Sequence, residues 1–166
     1  TRVTKMIEQE LHDDPYAQEA FSALLLKTIA EAEKQFEHPL KQYLLYTEFM
    51  QDVENRRLQE IPDAFGSNKH AQAYFGVFKK TLPQVFDIAD KQVEKKWVGL
   101  AFVIDQAVGR AVTENSINTQ NIEAAIRTSL LPRLFQECKD VGAGIHQVNK
   151  IIESVVQITR VGLSGI

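Results

Sequence analysis

Hydrophobic residues recur at three- and four-residue spacing along most of the chain, and this period predicts α-helices throughout. Strands would alternate hydrophobic and polar residues between hairpin turns, and no segment does so. Prolines at positions 15, 39, 62, 83 and 132 divide the pattern into segments. The sequence therefore predicts an all-α bundle of six to seven helices with no sheet, mostly antiparallel because the loops are short.

The individual helices are predicted from where the period begins and breaks. We expect them over residues 1–11, 15–36, 69–81 and 87–114, with others beginning near residues 40, 119 and 145. Asp14 and Pro15 fit the cap and first position of the second helix. The inward faces of the second and third helices include Leu24, Phe36 and Leu44. Arg56 belongs to the outward face of the third helix.

The helix after Asn118 carries the most detailed local prediction. Asn118 is expected to be its N-cap, because the side-chain oxygen can accept from a backbone N–H two or three residues on. Ile117 and Ile122 have the spacing of a hydrophobic staple. Pro132 lacks an N–H and crowds the carbonyl of Thr128, so the helix is expected to stop or kink there.

Two other helices carry predictions about packing. In the long helix over residues 87–114, Gly99 and Gly109 are interpreted as close helix crossings. The last helix has apolar residues over a wide arc, among them Val148, Ile151 and Ile158. Such a helix is buried in the core or covered by a partner, and core burial is the favoured interpretation.

Composition indicates an ordinary globular chain of 166 residues, 44% hydrophobic and 25% charged, and we expect one helical domain. No apolar run approaches the roughly 20 residues that a bilayer requires. The net charge of −3 offers no general attraction to nucleic acid. The one cysteine, Cys138, excludes an internal disulfide and fits a reducing cytoplasm. Because the chain begins with Thr1, we expect a fragment of a longer polypeptide.

Motifs for chemistry are weak. Glu8 and His12 lie four apart, but there is no HExxH motif and no paired cysteine, so a surface contact is favoured over a metal site. Cys138 lacks the cationic surroundings of a reactive thiol. The basic pairs Lys79-Lys80 and Lys95-Lys96 are interpreted as solvated helix edges, which could touch DNA phosphates if they converge in space.

The chain contains ENSINTQNIEAAIRTSLLPRLF at residues 114–135 and IIESVVQITRVGL at residues 151–163. These two segments resemble the extreme C-terminus of type I restriction endonuclease R (motor) subunits. Those subunits often end in ENSxNxQNIEAAIRxxLLPxLF and a final helix carrying QIxRxGL. HPLKQYLLYTEF at residues 38–49 and AQAYFGVFK at residues 71–79 are similar to the same region.

The resemblance implies a C-terminal helical domain of a large ATP-dependent DNA translocase and nuclease. The nuclease, the motor domains and the sites for ATP and Mg are then expected elsewhere in the parent chain, and this fragment is expected to be non-catalytic and without a cofactor. Its implied role is to dock the motor onto the methyltransferase core of modification and specificity subunits. Arg127, Arg133 and Arg160 are the predicted docking contacts.

Two alternatives stay open. The first is a DNA-guiding helical domain of the same motor, which contacts phosphates through Lys79, Lys80, Lys95 and Lys96. The second comes from other classes: an unrelated helical interaction module, or a free-standing enzyme of the ferritin or four-helix type. Carboxylate–histidine ligand pairs typical of that enzyme class are missing from the sequence.

Overall fold

The computed structural model describes residues 2–164, in which helices joined by loops are the regular structure and no strand occurs, and this confirms the predicted all-α class. Eight α-helices follow one another, and α5 is a single turn. They are α1 (Arg2–Glu10), α2 (Pro15–Lys34), α3 (Pro39–Glu54), α4 (Lys69–Thr81), α5 (Pro83–Phe86), α6 (Lys91–Glu114), α7 (Gln120–Asp140) and α8 (Ile145–Ser164). A 3₁₀ turn, Asp63–Phe65, precedes α4. None of the described helices is both long and apolar enough to cross a bilayer.

Proline and capping residues set where several helices begin. Pro15, Pro39 and Pro83 each occupy the first turn, where the missing N–H costs nothing. The Asp14 side chain accepts a hydrogen bond from the Ala17 N–H at 3.0 Å, as predicted for the cap of α2. Asn68 caps α4 in the same way, through the N–H of Ala71.

Four helices, α4, α6, α7 and α8, form a bundle in which each packs against two others. Phe78 meets Trp97 near the start of α6, with ring centroids 4.9 Å apart, whereas Asn68 donates to Asp105 farther along α6. These contacts make α4 and α6 antiparallel. The pairs Glu123–Arg160 and Arg127–Glu153 likewise make α7 and α8 antiparallel.

Helix α4 lies at the centre of the molecule. All eight residues from 71 to 78 are buried, because α2 packs on one side of the helix while α6 and α8 pack on the others. Gly76 permits the approach of α2: a Cβ added there would lie 2.6 Å from the Cβ of Tyr16. The sequence predicted the bounds of this helix correctly, but it placed only one face of the helix in the core.

Helices α1, α2 and α3 form a second group that joins the bundle through α4. Phe21 and Phe49 pack edge to face between α2 and α3, at a centroid distance of 6.0 Å. The far halves of these two helices, residues 26–48, contain one buried residue, Ala32. The end of the α2–α3 hairpin therefore lies outside the hydrophobic core.

Several local predictions about α7 are wrong. The helix begins after Thr119, and its cap makes no side-chain hydrogen bond, so Asn118 is not the N-cap. Ile117 is fully exposed and forms no staple with the buried Ile122. Of the two outcomes expected at Pro132, a stop is wrong, because the helix continues to Asp140 with the exposed proline ring on its outer side, whereas a kink stays a prediction.

Other errors concern which side chains face inward. Leu24, Phe36 and Leu44 are exposed, because the hairpin end that carries them has no helix packed over it. Arg56, predicted to face outward, is 95% buried in an ion-pair network. Gly99 and Gly109 have open space where a Cβ would stand, so neither marks a close helix crossing.

Candidate functional site

Residues 120–135 lie on α7 and residues 151–163 lie on α8, and these two helices pack against each other. Helix α7 contributes a single row of buried residues, each four positions after the last: Ile122, Ile126, Leu130, Leu134 and Cys138. Helix α8 is buried over a wider arc, because it packs against both α7 and α4. Core burial, the favoured interpretation of its wide apolar face, accounts for Val148, Ile151 and Ile158.

Two cross-helix ion pairs lie on the surface between α7 and α8. Arg160 donates two hydrogen bonds to the Glu123 carboxylate, one of them from Nη2 to Oε2 at 2.9 Å. Arg127 donates to Glu153 one to two turns away along the same seam. The hydrogen bond from Arg160 lowers the pKa of Glu123. Exposed pairs of this kind contribute little to stability, so they fix the register of the helices more than they hold them together.

Arg133 does not belong to this seam. Its Nε lies 3.5 Å from Glu137 one turn along α7, and the same carboxylate contacts Lys96 of α6 at 2.8 Å. Of the three arginines that the resemblance implied as docking contacts, the structure brings Arg127 and Arg160 to one face and places Arg133 toward α6.

An exposed apolar row runs beside the buried row of α7, and sequence analysis missed it. Arg127, Leu131 and Phe135 follow one another at four-residue spacing, with Leu131 41% and Phe135 46% exposed. Because α7 and α8 are antiparallel, this row runs toward the start of α8, where Ile145 is also exposed. One sequence signal could have revealed this exposed row: α7 has more apolar residues than its single buried row contains.

We define the α7–α8 face as Glu123, Arg127, Leu131 and Phe135 of α7 with Ile145, Glu153 and Arg160 of α8. It combines arginine, aromatic and aliphatic side chains, which is the composition of residues that dominate binding energy in protein interfaces. The face contains no nucleophile paired with a base. Chemically it can bind a surface through apolar contact and charge pairing.

The four lysines proposed for DNA contact lie at one end of the bundle, since Phe78 packs on Trp97, but they turn toward different helices. Lys80 pairs with Glu19 of α2 at 3.0 Å and Lys96 pairs with Glu137 of α7. Lys79 donates to the Glu60 carbonyl and lies 5.7 Å from the centroid of the Tyr16 ring. Lys95 is exposed and has no ion-pair partner within residues 2–164. The arrangement is not a single basic surface.

A buried charge network joins the N-terminal helices to α4. Arg56 Nη2 donates to Asp13 at 2.5 Å and to the Glu10 carbonyl at 3.0 Å, while its own carbonyl accepts from Gln72 at 2.8 Å. Its backbone has a φ of +50°, which brings the side chain inward. Burial raises the pKa of Asp14, whose carboxylate lies 3.8 Å from Arg56 Nη1. Through Arg56, which follows α3, the network connects α1, the start of α2 and α4.

The remaining candidates for chemistry have structural surroundings. Cys138 is fully buried, and burial raises the pKa of its thiol to about 11, so little thiolate is present at neutral pH. His12 lies 3.0 Å from the Gln9 carbonyl, next to it on the same turn. Across residues 2–164, no three His, Cys, Asp or Glu side chains are grouped as metal ligands.

One groove of about 480 Å³ lies near the end of the bundle, between α4, α6 and α8. Gly109 and Gly162 line it, and open space surrounds both positions. Two of its polar groups have partners: Tyr74 is hydrogen bonded to Thr159, and Asp105 accepts from Asn68. His70 also lines the groove, and it is exposed.

Comparison of the chain with protein-family models, with curated proteins and with solved structures gives no match.

Proposed function

We propose that this chain is a non-catalytic helical docking domain, which attaches the motor of a type I restriction enzyme R subunit to its methyltransferase core in the cytoplasm. The nuclease and translocase activities, with ATP and Mg, then belong to other parts of the parent chain. The modification and specificity subunits are the direct partners, and DNA is reached through the assembled complex.

One observation carries the proposal: the two segments that resemble R subunits, on the consecutive helices α7 and α8, meet on the α7–α8 face. Packing alone requires only the buried row of α7 and the wide buried arc of α8. The exposed row of Arg127, Leu131 and Phe135 is not needed for the core of this chain. A partner that covers the row would bury two large apolar side chains, and removing apolar surface from water favours association.

The ion pairs of the face suit a reversible contact. Glu123–Arg160 and Arg127–Glu153 are exposed, so exchanging one intramolecular partner for an intermolecular one costs little free energy. Before a partner binds, each ion pair holds its arginine side chain along the surface between α7 and α8. Ordering the side chains beforehand reduces the entropy lost on binding.

Calorimetry of this chain with the methyltransferase core, beside a DNA duplex alone, tests the proposal. We expect binding to the core at a Kd of about 1 μM or tighter, and an affinity reduced at least about tenfold by Phe135→Glu. Leu44→Glu, an equally exposed site on α3, is the matched control and should leave the affinity unchanged. Absence of binding to the core would overturn the proposal.

A charge swap separates direct contact from a structural effect. Arg160→Glu removes the cross-helix pair, and adding Glu123→Arg restores it with the charges exchanged. If Arg160 contacts the core, the double variant stays impaired. Full recovery of affinity in the double variant would show that Arg160 acts only by holding α7 and α8 in register.

The DNA-guiding alternative rests on Lys79, Lys80, Lys95 and Lys96, and the duplex arm of the same experiment addresses it. Tight binding to DNA that weakens steeply with salt, together with no binding to the core, would replace the docking proposal with this one. Three of the four lysines already have partners within the chain, so we expect weak binding to the duplex.

A further inference from the structure

Helix α3 is apolar on two opposite sides, and only one of them is covered by other residues of the described range 2–164. On the inner side, Phe49 and Val53 are buried and the Gln42 side chain donates to the Ala32 carbonyl of α2. At 100° per residue, the opposite side carries Leu40, Tyr43, Leu44 and Thr47, spaced as on one face of a helix. We call these four residues the outer α3 stripe.

Apart from single exposed side chains elsewhere, the outer α3 stripe is the most exposed apolar surface among the described residues. Leu40 is 71%, Tyr43 66% and Leu44 49% exposed. No described helix lies over it, since α3 packs against α1 and α2. Half of the twelve large hydrophobic residues that are exposed within the described range lie between residues 24 and 44. Clustering of this kind marks an interaction site more than scattered exposure does.

The charges beside the stripe point to what covers it. Lys41 and Glu48 are seven residues apart and lie along the same edge, and both are exposed. Neither forms an ion pair within residues 2–164. Two copies of α3 packed antiparallel would place Lys41 of each copy beside Glu48 of the other. In a parallel pair this edge would face the opposite edge of the partner helix, and the Lys41–Glu48 contacts would not form.

We propose that the outer α3 stripe is a self-association surface, on which a second copy of this chain packs its own α3 antiparallel about a two-fold axis. In a two-fold interface, a contact from one residue to a second residue of the partner copy is matched by the same contact in the opposite direction. One apolar row and one pair of opposite charges therefore serve both copies. In antiparallel helix pairs, residues on the same edge face each other, which gives two Lys41–Glu48 contacts per dimer. The α7–α8 face stays free, so this inference is independent of the docking proposal.

Sedimentation velocity over a range of concentrations tests the inference. We expect a reversible monomer–dimer equilibrium for the full chain, and Leu44→Glu should raise the dimer Kd by at least about tenfold by placing a carboxylate in the apolar row. Leu131→Glu, on the α7–α8 face, is the matched control and should dimerise normally. Both sites are exposed, so folding is not at risk, and helical circular dichroism checks it.

A charge exchange tests the antiparallel geometry itself. Lys41→Glu places Glu beside Glu48 in both contacts and should weaken the dimer, as should Glu48→Lys. The double variant restores opposite charges and should recover the dimer Kd. Failure of the double variant to recover would overturn the antiparallel pairing.

Two further outcomes would overturn self-association. A monomer at every concentration, up to about 0.5 mM, would do so directly, given that specific dimers form well below this. The second outcome is a monomeric chain that loses binding to the methyltransferase core in Leu44→Glu but keeps it in Phe135→Glu. This result would show that the core binds the outer α3 stripe and that the docking site is not on the α7–α8 face.

Discussion

Gly76 is the residue at which two halves of the molecule come closest. Its missing side chain leaves room for the Cβ of Tyr16, so that α2 can lie directly against α4. Any side chain at this position must push the two helices apart, because the contact is made by an atom next to the backbone and not by a flexible end. The packing of the N-terminal group therefore depends on one absent methyl group.

Gly76→Ala should lower the free energy of unfolding by about 1–3 kcal/mol, the usual cost of overpacking a core. Gly99→Ala is the matched control: the site is helical and open, so alanine should raise stability by about 0.5–1 kcal/mol. Urea denaturation of both variants measures the difference. Equal effects of the two substitutions would contradict the role assigned to Gly76.

Asp14 should make stability depend on pH in an unusual direction for a carboxylate. Burial raises its pKa in the folded state, so the folded protein binds the proton more tightly than the unfolded chain does. Its contribution to the free energy of unfolding therefore increases as pH falls through the folded pKa, and becomes constant below the unfolded pKa.

Asp14→Asn isolates this effect, because asparagine can still accept the hydrogen bond from Ala17. Groups that do not interact with Asp14 titrate alike in both proteins and cancel in the comparison. Between about pH 7 and about pH 4, the stability of the wild type should rise relative to that of the variant. A constant difference would show that the pairing with Arg56 balances burial, and a difference of opposite slope would show that the pairing outweighs burial.

At the scale of single helices, α7 continues through a proline. Pro132 removes one backbone hydrogen bond and crowds the carbonyl of Thr128, yet the helix extends two turns beyond it and buries Leu134 and Cys138. The proline itself is exposed. The helix is therefore held past this point by packing against α6 and α8 and not by its own propensity.

Pro132→Ala should raise the free energy of unfolding by about 1–3 kcal/mol, because it restores the hydrogen bond and relieves the crowding. Thermal or urea denaturation measures the change. Pro39→Ala, at the first turn of α3, is the control and should change stability much less, since no hydrogen bond is lost there. A loss of stability in Pro132→Ala would mean that Leu134 and Cys138 need a bent helix in order to pack.

Local rules allowed most helices to be predicted from the sequence. Pro15 and Pro39 begin helices, Asp14 caps one, and the bounds of α4 follow from Asn68 and Leu82. Such features act over a few residues, so a single sequence contains them. The three-to-four-residue period also placed the buried residues of α6 and α8 correctly in outline.

The errors occur where distant parts of the chain decide the outcome. Arg56 is buried because Asp13, 43 residues earlier, lies beside it in space. Leu44 has the right period for a core residue but belongs to the second apolar side of α3, and periodicity does not say which side is covered. For the same reason, Arg127 and Arg160 of the α7–α8 face were named from the sequence, whereas Leu131 and Phe135 were not.

At the scale of the whole molecule, α4 is shared by the N-terminal group and the four-helix bundle. Its buried residues contact both, and the buried side chains form one continuous cluster. Neither group can keep its core if α4 unfolds. The described part of the chain should therefore unfold as one cooperative unit.

Chemical denaturation followed by two probes tests this cooperativity. The fluorescence of Trp97, the only tryptophan, reports on the bundle, and far-UV circular dichroism reports on all helices. The two transitions should coincide. Phe78→Ala should shift both together, by about 3–5 kcal/mol, since it removes a buried aromatic ring beside Trp97. An early loss of helix without a change in fluorescence would show that the N-terminal group unfolds separately.

The α2–α3 hairpin gives the molecule a mechanical property. Its base is anchored at Phe21 and Phe49, while its end lies about 20 Å farther along two stiff helices, where no other helix of the described range packs on it. A lever of this length turns a tilt of a few degrees at the base into a displacement of about 1–2 Å at the tip. Whatever grips the tip can thus pull on α4 through Tyr16 and Gly76, and so transmit strain to the middle of the fold.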